Sequence, residues 1–80
     1  MTKEKIHKII SQKFNNSIIE VYDVNNDNNH FSLLIVSDQF KNMTLIHRHK
    51  EVYKLFKNYL TKDIHALQIK TYTKFEWENN

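Results

Sequence analysis

Eighty residues, 40% hydrophobic and 26% charged, with a net charge of +3 and no Cys, Gly or Pro, suffice for one small domain and not for two. Without Cys there is no disulfide framework, zinc knuckle or thiol nucleophile; without Gly there is no P-loop, dinucleotide fingerprint or G-x-x-G clamp for single-stranded RNA. The twelve basic residues are interleaved with nine acids along the whole chain, which describes a solvated surface better than a phosphate-binding stripe.

Glu4 favours a helix N-terminus, and Ile6, Ile9, Ile10 and Phe14 then repeat at helical spacing, so a helix is predicted over about 3–14, ended by Asn15 and Asn16. Residues 17–24 are rich in β-branched and aromatic side chains, with Ile19 and Val21 on one face and Glu20 and Tyr22 on the other, the pattern of a half-buried strand. After the polar turn 25–29, residues 30–37 form an almost unbroken apolar run, expected to be a strand covered on both faces and to close a hairpin with the first. In a chain without Gly, Asn is expected to take the left-handed turn positions. Residues 37–42 read as a helical turn followed by a bend at Asn42.

From Thr44, the residues Leu45, His49, Val52, Tyr53, Phe56 and Leu60 mark one face of a second helix, closed by residues 61–63; Arg48 is expected to point away from that face. Residues 64–72 alternate as a third strand, with His65 on the face of Leu67 and Ile69. Thr73 and Glu76 form a capping box that opens a short last helix carrying Phe75 and Trp77. A strand, a crossover helix and another strand make a parallel unit, so the third strand should run parallel to one member of the hairpin. The expectation is an α+β domain over residues 1–80 with a three-stranded mixed sheet and helices packed on it. No stretch reaches the roughly 18 apolar residues of a membrane span, and the first residues carry no apolar signal region; a cytoplasmic protein with no membrane partner is expected.

Chemistry falls to five histidines. His7 sits on the polar side of the first helix, and His47 and His49 are about 200° apart around the second, so those two cannot chelate one metal together. His49 and His65 are each compatible with packing roles. No strained nucleophile turn and no paired carboxylates are present, so an enzyme is not expected.

Ser37-x-x-Phe40, Leu45-Ile46-x-Arg48-His49-x-x-Val52-Tyr53, Ile64-His65-Ala66-Leu67 and Thr71-x-Thr73-x-x-x-Trp77, with His30-Phe31 before the apolar strand, resemble the BolA family over residues 3–78. Asn42 stands where that family often has Gly, and Lys74 where it often has Pro. The resemblance implies an α-β-β-α-α-β-α fold like the class II KH fold. It also implies a heterodimer with a monothiol glutaredoxin that holds a bridging [2Fe–2S] cluster together with glutathione, in cluster trafficking and iron homeostasis. The isolated chain is then expected to be a monomer without cofactor. His65 corresponds to the family's cluster-ligating histidine. His30 is the candidate for the second ligand from the loop between the first two strands, or else the family's structural histidine at the strand start. A Cys-free chain can give such a cluster only imidazole, so the thiolates must come from the partner and its glutathione. The alternative function is a nucleic-acid-binding transcriptional stress regulator, with a KH-like surface placing Lys41, Arg48, Lys50 and Lys70 against DNA phosphates.

Overall fold

The computed structural model describes residues 1–79; Asn80, the last residue of the expected domain, lies outside them. Helix α1 (Lys3–Lys13) starts where Thr2 accepts a hydrogen bond from the Lys5 N–H at 3.2 Å, and it carries Glu4 in its first turn and Lys13 in its last, matching the helix dipole. Ile6 and Ile10 on this helix and Phe14 at its end are buried, and Asn16 turns the chain with φ 57°. Strands β1 (Ile18–Asp23) and β2 (His30–Val36) form the expected hairpin, antiparallel from Ile18 against Val36 to Asp23 against Phe31. Ser37 then caps a single 3₁₀ turn (Asp38–Phe40), and Asn42, with φ 64°, redirects the chain.

Helix α2 (Leu45–Leu55), capped by Thr44, crosses back to strand β3 (Ala66–Tyr72), which runs parallel to β2 from His30 beside Ala66 to Val36 beside Tyr72. The sheet order is β1-β2-β3, so β2 is central and β3 is an edge. Helix α3 (Lys74–Glu78) closes the chain with the capping box of Thr73 and Glu76. The element order agrees with the α+β, mixed-sheet expectation. Among the described residues Asn occupies four of the five left-handed positions, at 16, 26, 28 and 42; the fifth falls on Thr61.

One continuous core joins Ile6 and Ile10 of α1, Phe31, Leu33 and Ile35 of β2, Val52 of α2, and Leu67 and Ile69 of β3, with Phe40, Phe56 and Ile64 from the connections. Ile19 and Val21 of β1 pack against its margin. The strand residues of this core share one parity, so α1 and α2 cover one face of the sheet; on the other face only its end is covered, where Val36 is buried and Trp77 of α3 lies against Tyr72. The expectation of a β2 buried on both faces is therefore corrected in part: Val36 is buried on the second face, but Ser32 and Leu34 are only half-buried there, in cross-strand rows Tyr22–Ser32–Gln68 and Glu20–Leu34–Lys70.

The second helix is shorter than its apolar spacing predicts. After Leu55 the Phe56 N–H bonds to the Tyr53 carbonyl at 3.0 Å, and the Tyr59 carbonyl gathers the N–H groups of Lys62, Asp63 and Ile64. These tight turns bury both Phe56 and Ile64 completely and delay β3 to Ala66, which a straight helix through Leu60 would not do. Leu45, at the start of the predicted apolar face, is 62% exposed, whereas Arg48 is 6% exposed. The Arg48 side chain does not point away from the core: Nε donates to the Met43 carbonyl at 3.0 Å, Nη1 and Nη2 donate to the two oxygens of Glu76 at 2.6 and 3.0 Å, and the guanidinium lies over the Phe40 ring.

Glu76 also accepts from the Thr73 N–H at 2.8 Å. The Arg48 hydrogen bonds first, then the Thr73 N–H, hold its carboxyl down at about 2 against an ordinary 4.5. A depressed folded-state value stabilises the fold above the ordinary value, and that contribution disappears as pH falls from about 4.5 toward 2. Thermal melts between pH 6 and pH 2.5 should show a fall in Tm across that window that is shallower in Glu76→Gln; equal slopes would contradict it.

Candidate metal centre

The turn between β1 and β2 is built by carboxylates that collect backbone donors. Asp23 accepts from the N–H groups of Asp27 at 3.1 Å and Asn28 at 3.0 Å, and Asp27 Oδ1 accepts from those of Asn29 at 2.9 Å and His30 at 3.1 Å. Asn26 and Asn28 take left-handed conformations that let a glycine-free turn fold back this tightly. The Asn29 carbonyl then accepts from the N–H groups of His65 at 2.8 Å and Ala66 at 3.2 Å, tying this turn to the residues entering β3.

The parallel register and these bonds bring His30 and His65 together, with ring centroids 5.1 Å apart and planes inclined by 56°. The His30 side chain is 33% exposed, and His65 is exposed. His65 thus lies just before β3, not on the inward face with Leu67 and Ile69, and the packing role open to it in the sequence is not the one it has. His30 Nδ1 lies 2.6 Å from Asp27 Oδ2. Partial burial raises the Asp27 carboxyl, but the His30 ring hydrogen bond, the His30 and Asn29 N–H groups and the charge of His30 outweigh it, and the net shift is downward.

Among the described residues no group of three or more His, Cys, Asp or Glu side chains could hold a metal ion. The chain offers two adjacent imidazoles at a solvent-facing corner, one of them already engaged by a carboxylate. That donor set fits the histidine half of a centre completed by another molecule's ligands. His7 and His47 are exposed elsewhere, His47 lying 3.6 Å from Glu51, and His49 is half-buried on α2. Asp27 was not singled out by the sequence; the signal that could have found it is an acid three residues before a histidine in a turn, where Asx side chains fold back onto the backbone.

The basic residues are not assembled in the same way. Lys41 lies 3.8 Å from Asp38 beside the 3₁₀ turn, Lys50 is exposed on α2, and Lys70 projects from the open face of the sheet. Arg48, offered as a phosphate contact, is corrected: its guanidinium is buried in the pair with Glu76 and has no face free for DNA. No helix among the described residues is long and apolar enough to cross a membrane.

A family description, BolA-like protein, matches residues 5–76. The chain is 32% identical over 85 residues to the DNA-binding transcriptional regulator BolA of Escherichia coli (strain K12), covering 98% of this chain and 81% of that protein. It superposes on BolA1 from Arabidopsis thaliana with a TM-score of 0.85 at 29% identity, covering 92% of this chain and 93% of that one. For the BolA domain of SufE1 from Arabidopsis thaliana the TM-score is 0.83 at 31% identity, with the same coverage of 92% and 93%.

Proposed function

The chain belongs to the BolA-like family, and from that premise we propose that it is a non-enzymatic adaptor. It pairs with a monothiol glutaredoxin and supplies imidazole to a shared, bridging [2Fe–2S] cluster, the cargo of iron–sulfur trafficking and iron homeostasis. The observation that carries the reading is the pairing of His30 and His65, rings 5.1 Å apart, at an exposed corner of a chain without a single Cys. Neutral imidazole can replace thiolate on one iron of such a cluster, as in Rieske-type centres, but the remaining thiolates must come from elsewhere. Two residues of this chain place the pair: Asn29 holds the His65 backbone through its carbonyl, and Asp27 holds the His30 ring through its carboxylate.

Mixing the protein with a monothiol glutaredoxin, glutathione, iron and sulfide should give a coloured heterodimer on size exclusion, with visible absorption distinct from that of the glutaredoxin alone. A coloured glutaredoxin species that elutes without this chain would contradict the reading.

A second reading is DNA binding, favoured by the E. coli relative named as a DNA-binding transcriptional regulator and by the exposure of Lys41, Lys50 and Lys70. With Arg48 withdrawn, three lysines remain, so log affinity against log salt should have a slope no steeper than about −3. A much steeper slope would require a phosphate-contact surface other than this one, and a flat line would contradict phosphate contact altogether.

A further inference from the structure

The 2.6 Å contact between His30 Nδ1 and Asp27 Oδ2 fixes more than the position of a ring. An ionised carboxylate has no proton to give and can only accept, so Nδ1 carries the hydrogen and, in the neutral ring, Nε2 keeps its lone pair. The carboxylate cannot turn away, because its other oxygen is held by the N–H groups of Asn29 and His30. We propose that Asp27 is a positioning residue that locks His30 in the Nδ1-protonated tautomer and presents Nε2 as its bare, metal-ready nitrogen beside His65. The tautomer lock stands on the geometry alone; its use toward iron rests on the function proposed above. It is the carboxylate–histidine arrangement that fixes the ring and raises the basicity of metal-binding histidines, built here into a hairpin turn.

Asp27→Asn tests this with little disturbance of the turn. The amide oxygen can keep the two backbone bonds, which leaves the amide NH₂ facing Nδ1. A donor in that place forces the proton to Nε2 and blocks the ligand nitrogen, the same tautomer error that an Asp→Asn change causes in a catalytic triad. In ¹⁵N spectra of the unloaded protein, above pH 7.5, wild-type His30 should show a protonated Nδ1 and a bare Nε2. In Asp27→Asn the two should exchange, while His65 and the backbone signals outside the turn stay in place. Asp27→Ala, with no partner at all, should give a mixture. A wild-type His30 protonated at Nε2, or an Asp27→Asn protein with the wild-type tautomer, would overturn the lock. In the reconstituted heterodimer Asp27→Asn should retain the cluster about 10- to 100-fold less well. Equal retention despite an exchanged tautomer would overturn the role toward iron, and so would a wild-type mixture that assembles no cluster; only the latter result also counts against the adaptor function.

Discussion

Arg48→Ala is expected to cost about 2–3 kcal/mol and to lower Tm by roughly 10–20 °C in a domain of this size. One side chain, 6% exposed, joins three parts of the molecule: it donates to the Met43 carbonyl at the entrance to α2, covers the Phe40 ring, and grips both oxygens of Glu76 on α3. Helix α3 has five residues and none is fully buried, so apolar packing alone holds it only weakly. Besides this pair it has the contact of Trp77 with the Tyr72 ring, at 5.3 Å, and a hydrogen bond from the Lys74 N–H to Asp38. Removing the guanidinium leaves the Met43 carbonyl without that donor and opens a gap beside Phe40. Arg48→Lys keeps the charge but not the two-pronged geometry and should recover only part of the loss. Chemical denaturation of the three proteins checks this, together with the signals of residues 74–78; an Arg48→Ala protein as stable as wild type would show that the clamp is ornamental.

His65→Ala should behave in the opposite way, leaving stability within about 0.5 kcal/mol of wild type while weakening cluster retention in the heterodimer at least tenfold. The His65 side chain is exposed, and the bonds that place it run through its backbone N–H to Asn29, which alanine keeps. Its effect is therefore chemical: one imidazole is lost from a site where this chain has two to offer. His30→Ala should also weaken retention, accompanied by a structural effect on the turn, because that ring is half-buried and bonded to Asp27. The two variants are compared through the rate at which the visible absorption decays under an iron chelator. Unchanged decay in His65→Ala would remove that residue from the ligand set.

Much of this was legible in the sequence, for identifiable reasons. Helix α1, the hairpin and the capping box of Thr73 and Glu76 are specified by neighbours within a few residues, and Asn supplied the turn positions a Gly-free chain needs. Family resemblance singled out His65 and His30. What could not be read depends on partners distant in the chain. An arginine in a helix is normally read as surface, and the burial of Arg48 becomes intelligible only with Glu76, 28 residues later, across from it. The end of α2 depends on Phe56 and Ile64 both reaching the core, a tertiary demand that overrides an apolar spacing continuing to Leu60. Simple alternation put His65 on the inward face; the tie from Asn29 keeps it out of the strand and turns it beside His30.

The central claim is that an imidazole of this chain binds iron in a cluster shared with a partner. The most direct measurement is pulsed EPR of the reduced heterodimer carrying ¹⁵N-labelled histidine in this chain alone. A strongly coupled histidine nitrogen that is present in wild type and lost or altered in His65→Ala is the predicted result. A cluster without any coupled nitrogen from this chain would contradict it, and a coupling that is the same in His65→Ala would remove His65 from the ligand set and leave His30 to supply the nitrogen.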